Sequence, residues 1–438
     1  MTQKEALQIL KLGYSVYLTG EAGSGKTYLL NKFISFLRKQ KAEVAITAST
    51  GIAATHLGGV TIDSWSGLGI RDDVSQSDIV HISQNRHLQN RIKKTKVLII
   101  DEISMLHGKR LDSMDKICRT IKGNNLPFGG IQLVMCGDFF QLPPVSDRRE
   151  NYDYVFKSRV WREINPHILY LSSQHRQTSG ELNTVLTAIR NNQVDEHIKN
   201  MLRQTANQQF DERIIPTKLY THNIDVDAIN KNQLDQIQQE PHIYEMVSVG
   251  HENIVGMLKR GCLAPETLIL KKGAQVMFVR NNYRAGYFNG TIGKVIGFNK
   301  NNDPIVETYE RLKITVEKNS WNIMEDRKTV AEIIQYPLRL AWAITVHKSQ
   351  GMTLSVAEID LSKSFVRGMG YVALSRVKSL RGVRLLGLNE IALQVDPEIT
   401  QFDKILRQKS NQEVEDLKNS SWLNIFFEKR KYIYYLTS

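Results

Sequence analysis

The chain has 438 residues, 41% of them hydrophobic, and 58 Lys and Arg against 45 Asp and Glu give it a formal net charge of +13. This length predicts two to four domains, and the positive charge favours nucleic acid or another anionic surface as a partner. No apolar run is long enough for a membrane span, and the three cysteines lack metal-site or disulfide spacing. The N-terminus has no secretory or Arg-rich leader, so we expect a bacterial or viral cytoplasm, or a nucleus or mitochondrion for a trimmed eukaryotic domain.

The first motif along the chain occupies residues 20–27 and reads Gly-Glu-Ala-Gly-Ser-Gly-Lys-Thr. A β-rich run precedes it, and apolar residues at helical spacing follow it. A strand, a Gly-rich turn and a helix in this order surround an anion with backbone N–H groups and the positive end of the helix. Lys26 would reach the β- and γ-phosphates of a nucleotide, and the Thr27 hydroxyl would hold Mg²⁺. The alternative is a Gly-rich turn that arose by chance.

A second motif follows an aliphatic run at residues 97–100 and consists of Asp101 and Glu102. Such a continuous run is typical of a strand in a parallel sheet covered on both faces, and ligands bind at the carboxyl ends of these strands. Asp101 would hold Mg²⁺, and Glu102 would act as the general base on the attacking water. The alternative is an ordinary strand before a helix whose first turn favours acidic residues.

A third apolar run, residues 131–136, leads into a loop that extends to Val145. Gln141 in this loop would contact the γ-phosphate or the attacking water. The Phe139-Phe140 pair and two adjacent prolines offer apolar faces on a stiff loop, and such faces can contact bases. The alternative is a turn that carries a hydrophobic plug.

In order and spacing these motifs resemble those of the Pif-type DNA helicases, superfamily 1 enzymes related to RecD. The resemblance continues through residues 47–54, 105–122, 171–177, 343–353 and 371–377, and it runs from Gln3 to about Leu386. It implies an α/β fold with two RecA-like P-loop NTPase domains, a small inserted wedge and an inserted SH3-like β-barrel.

The resemblance also implies domain boundaries. RecA-like domain 1A is expected over residues 1–165, with the long polar stretch 65–96 inserted as the 1B wedge. Domain 2A is expected in two parts, over 166–270 and over 336–438 together with the C-terminal segment, with the SH3-like 2B insertion over 271–335 between them. Three aromatic residues near this insertion would stack on bases or fill the barrel core: Tyr283, Tyr287 and Phe288. One departure from the family is Asp63, where members often have His.

The resemblance assigns roles to individual residues. Arg176 and Arg376 match arginines that bring positive charge to the γ-phosphate, a contribution worth about 10³–10⁵ in rate. The expected catalytic residues are Lys26, Glu102, Gln141, Arg176 and Arg376. The expected nucleotide contacts are Gln3, Gly23, Ser24, Gly25, Lys26, Thr27, Tyr28 and Gly351, with Thr27 and Asp101 on Mg²⁺. The expected DNA contacts are Thr50, Gly51, Phe139, Phe140, Pro144, Val145, Thr345, His347 and Lys348.

The implied function is an ATP- and Mg²⁺-dependent helicase that translocates 5′→3′ on single-stranded DNA, and we expect a monomer in solution. Its expected substrates are duplex, forked and G-quadruplex DNA, in repair, replication and recombination or telomere-type maintenance. Two alternatives remain open. One is an ATPase that remodels protein–DNA complexes without separating strands, and the other is a binding module that uses ATP as a switch. Glu102, Arg176 and Arg376 argue against a switch, which needs affinity without fast turnover.

Overall fold

A computed structural model describes the chain except residues 70, 72–73, 145–151, 173–179, 212–214, 221–225, 283, 326–327 and 438. The chain divides into two compact units. Unit 1 comprises Met1–Thr178 and Gln401–Ser438, and unit 2 comprises Ser179–Thr400. In the described part of the chain, no helix is both long enough and apolar enough to span a bilayer.

Unit 1 is built on a parallel sheet. Its described strands are β1 (Val16–Gly20), β2 (Val44–Ala48), β3 (Val60–Thr61), β4 (Val97–Asp101), β5 (Gln132–Cys136) and β6 (His167–Leu171). They lie in the order β3-β2-β4-β5-β1-β6, and every neighbouring pair is parallel. This order brings the carboxyl ends of β1, β4 and β5 to one edge of the sheet, as the sequence predicted for the nucleotide motifs.

Helices cover this sheet because their apolar residues recur at helical spacing. The described helices before the C-terminal segment are α1 (Gln3–Leu10), α2 (Lys26–Lys39), α3 (Gly51–Leu57), α4 (Ile62–Ser66), α5 (Gln76–Ser83), α6 (Arg86–Lys94), α7 (Gly108–Lys122) and α8 (Arg159–Ile164). Helix α2 buries Leu29, Leu30 and Phe33 in the same core as the inward side chains of β1 and β4.

The stretch 65–96, which the sequence predicted as a long polar loop, contains helices α5 and α6 in its described part. Ser75 caps α5 in a reciprocal arrangement with Asp78, and Asn85 caps α6. Both helices contact α7. The stretch is therefore a folded insertion, in which Ile79 and Ile82 of α5 and Leu88 and Ile92 of α6 are buried.

Unit 2 contains a second parallel sheet and a β-rich region. Its described strands are β7 (Thr217–Tyr220), β8 (His242–Glu245), β9 (Val247–Gly250), β10 (Thr267–Leu270), β11 (Gln275–Phe278), β12 (Ile292–Phe298), β13 (Pro304–Thr308), β14 (Lys313–Thr315), β15 (Asn319–Glu325), β16 (Lys328–Gln335), β17 (Leu338–Leu340), β18 (Ala343–Thr345), β19 (Ala357–Leu361) and β20 (Val383–Leu388). Its described helices are α9 (Glu181–Arg190), α10 (Glu196–Gln204), α11 (Val226–Asp235), α12 (Glu252–Gly261) and α13 (Met369–Leu374).

The parallel sheet of unit 2 has the order β18-β7-β19-β20. The β-rich region forms antiparallel sheets in the orders β14-β13-β12-β11-β17, β15-β16-β9 and β10-β8. Tyr287 is buried in this region and stacks on Phe278 with ring centroids 4.0 Å apart, whereas Phe288 is 47% exposed. Tyr287 is therefore a core residue, and Phe288 keeps the predicted option of contacting bases. Tyr283 lies outside the described residues.

The chain ends in helices α14 (Pro397–Asn419) and α15 (Trp422–Thr437). From Gln401 onward this segment belongs to unit 1, although the sequence grouped it with the second part of domain 2A. Tyr432 and Leu436 enter the core of unit 1, and the Tyr170 hydroxyl donates to Asp403 at 3.0 Å. These contacts pack the C-terminal segment against the rest of unit 1. The other predicted domain boundaries remain predictions.

Candidate nucleotide and DNA site

The phosphate loop links the end of β1 to the start of α2. Gly20, Gly23 and Gly25 have φ angles of 146°, 85° and 88°, which favour glycine. A Cβ at Gly20 would lie 2.7 Å from the Leu171 carbonyl oxygen. Among the described residues, no side chain caps the N-terminus of α2 through a hydrogen bond. The loop therefore offers backbone N–H groups and a helix N-terminus, the arrangement that binds phosphates.

Polar side chains around this loop fit a nucleoside triphosphate. The Lys26 ammonium donates to the carbonyl oxygens of Gly20 at 2.8 Å and Glu21 at 3.1 Å, bonds that phosphate oxygens can replace. The Ser24 Oγ is buried and has no hydrogen-bond partner in the described part of the chain. Gln3 Nε2 donates to the Ser24 carbonyl at 3.4 Å, so this predicted nucleotide contact lies beside the loop. Tyr28 is 55% exposed.

Asp101 and Glu102 follow β4 at the same sheet edge. Burial raises the pKa of Asp101, while the Glu102 N–H bond, the Cys136 thiol and the positive charge of Lys26 oppose that shift. Carboxylate oxygens are ligands that Mg²⁺ prefers, and Thr27 is exposed at the start of α2. The residues present therefore fit a nucleotide with its Mg²⁺.

The loop after β5 brings Gln141 into the interior of unit 1. Its backbone N–H donates to the Asp138 carbonyl at 2.9 Å, and its side-chain Oε1 is buried without a hydrogen-bond partner among the described residues. An unsatisfied buried amide oxygen is uncommon and costs stability unless a ligand or water satisfies it. This geometry is compatible with the predicted contact to the attacking water.

The aromatic pair in this loop corrects a prediction. Phe139 and Phe140 are 5% and 3% exposed. The Phe139 ring packs within 5.2 Å of Tyr17 and 5.1 Å of Phe156, measured between centroids. Pro144 is also buried. The burial of all three residues favours the hydrophobic plug, the alternative that the sequence left open, over faces for bases. The ring contacts of Phe139 account for its own burial. Val145 lies outside the described residues.

The predicted DNA contact of unit 1 lies at the start of α3. Thr50 caps this helix by accepting a hydrogen bond from the Ala53 N–H at 3.2 Å, and Gly51 is its first residue. The residue before them, Ser49, donates from its hydroxyl to the Glu102 carbonyl at 2.6 Å. The motif at residues 47–54 contains Ser49 but gave it no role, because a sequence does not reveal which carbonyl on a neighbouring segment a hydroxyl contacts.

The predicted motif of unit 2 is a loop after β18. Thr345 Oγ1 accepts from the Lys348 N–H at 3.2 Å, and Gly351 has a φ of 74°. His347 is exposed, and Lys348 Nζ lies 4.0 Å from Asp227 on α11. The structure thus brings Thr345, His347, Lys348 and Gly351 together at the carboxyl end of one strand.

Arg376 follows α13 in unit 2 and is 4% exposed. Its Nε donates to the Val372 carbonyl at 3.0 Å, and its Nη2 donates to the Ser375 hydroxyl at 2.7 Å. These bonds hold the guanidinium against its own helix. The other predicted arginine, Arg176, lies outside the described residues.

Asp63, the departure from the family pattern, has a defined partner. Its Oδ1 accepts from Arg110 Nη2 on α7 at 2.6 Å. Arg110 also donates to the carbonyl oxygens of Gly69 at 2.7 Å and Arg71 at 2.6 Å. One guanidinium therefore ties α7 both to α4 and to the chain that leads into the α5–α6 insertion, a role that sequence alone did not reveal.

Comparisons with known proteins agree with this arrangement. A family model described as PIF1-like helicase matches residues 2–211, and one described as DNA helicase Pif1, 2B domain matches residues 255–298. The ATP-dependent DNA helicase Pif1 of Psychrobacter sp. is 43% identical over 95% of this chain and 73% of that protein.

Solved structures give the same result. A Pif1 from Bacteroides sp. in complex with ADP-AlF4 is 30% identical, with a TM-score of 0.82 over 93% of this chain and 97% of that one. A second Pif1 chain comes from a structure that describes DNA unwinding at forked dsDNA by two coordinating Pif1 helicases. It is 30% identical in sequence, with a TM-score of 0.61 over 93% of this chain and 97% of that one. The predicted α/β fold with RecA-like domains is confirmed, and the chain belongs to the PIF1-like helicase family.

Proposed function

We propose that this protein is an ATP-dependent DNA helicase that translocates on single-stranded DNA. The observation that carries the proposal is the meeting of the phosphate loop with Asp101 and Glu102 at one sheet edge, where the charge of Lys26 opposes the rise in the pKa of the Asp101 carboxyl. Sequence identity to a Pif1 helicase over most of the chain also supports the proposal. The arrangement at the sheet edge supports ATP hydrolysis as the source of movement.

When bound, ATP supplies the phosphoryl group and Mg²⁺ neutralises charge on it. Lys26 and the N–H groups at the start of α2 bind the phosphate oxygens, and Thr27 and Asp101 hold the metal. Glu102 accepts the proton of the attacking water, and the buried Gln141 amide orients that water. Gln3 and Tyr28 are the remaining proposed nucleotide contacts of unit 1, and Gly351 is the proposed nucleotide contact of unit 2 by its match to a family motif. The roles of Arg176 and Arg376 at the γ-phosphate are proposals that rest on their match to the family motifs.

Thr50, Gly51, Thr345, His347 and Lys348 are the proposed DNA contacts. Hydroxyls, backbone N–H groups and a lysine suit phosphodiester oxygens, which carry no sequence information. We therefore propose binding that is sensitive to salt and largely independent of sequence. The proposal extends to forked duplexes, since a similar Pif1 structure describes unwinding at forked dsDNA.

The finer properties also belong to this proposal. They are the 5′→3′ polarity, unwinding of G-quadruplex DNA, roles in repair, replication and recombination, a wedge formed by the α5–α6 insertion, and a location in a bacterial cytoplasm. A monomer in solution is part of the proposal too, although the related forked-DNA structure describes two coordinating helicases.

Steady-state ATP hydrolysis with and without single-stranded DNA tests the proposal, together with strand separation on 5′-tailed and 3′-tailed duplexes. We expect strong stimulation by DNA, and unwinding of the 5′-tailed duplex only. The Arg376→Ala variant should bind ATP and DNA but lose the stimulated rate. Hydrolysis that is indifferent to DNA would reject the helicase function, and unwinding of the 3′-tailed duplex would reject the polarity.

A further inference from the structure

Two hydroxyl groups join the neighbouring parallel strands β2 and β4, one within the strands and one just beyond their carboxyl ends. Thr47 Oγ1 donates to the Ile99 carbonyl at 2.7 Å, and Ser49 Oγ donates to the Glu102 carbonyl at 2.6 Å. The Ser49 N–H also donates to the Asp101 carbonyl at 3.1 Å. Ser49 therefore contacts the backbone of both acidic residues of the nucleotide site.

The bond to Glu102 falls on a residue whose backbone needs support. Glu102 has φ 51° and ψ 41°, a left-handed conformation that is uncommon for residues with a side chain. Its N–H donates to Asp101 Oδ1 at 2.9 Å, and its carbonyl accepts from the Met105 N–H at 3.2 Å as well as from Ser49. Because the backbone conformation sets the direction of the side chain, these bonds help to determine where the carboxylate points.

The same serine adjoins the proposed DNA contact. Thr50, the next residue, caps α3, and Gly51 begins that helix. A phosphate bound at Thr50 and Gly51 would contact the residues directly after Ser49, whose hydroxyl is hydrogen-bonded to the Glu102 carbonyl. The proposed phosphate contact and the general base are therefore separated by one side-chain hydrogen bond and one peptide unit.

We propose that Ser49 is a positioning residue that transmits DNA binding at the start of α3 to the general base Glu102. DNA contact shifts the Ser49 hydroxyl and with it the Glu102 backbone, which aligns the carboxylate for proton transfer. This inference rests on the proposed function, since it requires a DNA-stimulated ATPase. It adds to that function a route from the DNA contact to the reacting centre.

The Ser49→Ala variant of the full chain tests this route. At saturating single-stranded DNA we expect kcat for ATP hydrolysis to fall about tenfold, which corresponds to about 1.4 kcal/mol. The KM for ATP and the Kd for a fluorescent single-stranded oligonucleotide should stay within about twofold of wild type, because Ser49 acts through Glu102 rather than on either ligand. Ser49→Thr, which keeps the hydroxyl, should restore most of the stimulated rate.

Thr47→Val is the matched control, because it removes the equivalent bridge between the same strands but away from Glu102. We expect it to keep the DNA-stimulated kcat even if its melting temperature falls. Equal losses in Thr47→Val and Ser49→Ala would overturn the proposal in favour of general sheet stability. An unchanged kcat in Ser49→Ala, or a Ser49→Thr variant as slow as Ser49→Ala, would also overturn it. Absence of DNA stimulation in wild type would instead reject the proposed helicase function.

Discussion

Glu102 has a left-handed backbone and is the proposed general base, and its side chain can be changed separately from its backbone contacts. Its left-handed φ and ψ are held by hydrogen bonds to main-chain atoms, so replacing only the carboxylate leaves these bonds in place. We expect Glu102→Gln to lower the DNA-stimulated kcat by about 10²–10⁴-fold while ATP and DNA affinities persist. Single-turnover hydrolysis and nucleotide binding measured on the same preparation check this. A variant with normal turnover would remove Glu102 as the base.

A second prediction at the scale of single residues concerns Lys26 and ATP binding. Its ammonium donates to two carbonyl oxygens of the phosphate loop, and phosphate oxygens can replace both acceptors when a nucleotide binds. Lys26→Met should weaken ATP binding by at least about tenfold, since a charge-assisted hydrogen bond contributes about 1.5–3 kcal/mol. Titration with a fluorescent ATP analogue measures the loss. Lys39→Met, at the exposed far end of α2, is the control and should bind ATP normally.

At the scale of elements, Arg110 on α7 anchors the segment between α4 and α5. It bonds Asp63 and two carbonyl oxygens of that segment. If the α5–α6 insertion is the strand-separating wedge, Arg110→Met should reduce unwinding several-fold and leave DNA-stimulated hydrolysis within about twofold, because it loosens the insertion without touching the nucleotide site. Lys116→Met, an exposed change on the same helix, is the control. Parallel losses of hydrolysis and unwinding would show that Arg110 only stabilises unit 1.

Helix α15 offers a stability prediction with an internal control. Tyr432 is 4% exposed and donates from its hydroxyl to Gln132, whereas Tyr434 is 74% exposed. Tyr432→Ala should therefore destabilise unit 1 by about 3–5 kcal/mol, the usual cost of removing a buried aromatic side chain. Tyr434→Ala should leave the denaturation midpoint unchanged. Equal midpoints for the two variants would mean that α15 does not contribute to the folded core.

Some features of these elements could be predicted from the sequence, and others could not. The phosphate loop and Asp101 were predictable, because phosphate chemistry demands a fixed order of glycines, lysine and acid next to a strand. The burial of Phe139 was not, because it depends on partners such as Phe402 that lie far along the chain. The Ser49–Glu102 bond was hidden for the same reason, since it joins residues 53 positions apart. Both features depend on contacts between distant segments, which local sequence patterns do not reveal.

For the whole molecule, the formal charge of +13 favours binding to the anionic backbone of DNA. Each phosphate contact made by a Lys or Arg releases counterions, so the logarithm of the affinity falls linearly with the logarithm of the salt concentration. The slope is about −0.7 for each neutralised phosphate of a single strand. Contacts to the DNA phosphates carry no sequence information. We therefore expect this slope to depend on the number of basic contacts and not on the oligonucleotide sequence. Fluorescence anisotropy at several salt concentrations measures it.

The salt dependence of DNA binding can be tested at one proposed contact of unit 2, Lys348, which lies near Asp227. Lys348 Nζ lies 4.0 Å from Asp227, whose side chain is 76% exposed. If Lys348 binds a DNA phosphate, Lys348→Ala should reduce the magnitude of the salt slope by about 0.7, and Lys300→Ala, at an exposed turn, should not change it. Asp227→Asn should strengthen binding at low salt, because a carboxylate competes with phosphate for the same ammonium. A slope that is identical in wild type and Lys348→Ala would show that Lys348 does not neutralise a DNA phosphate.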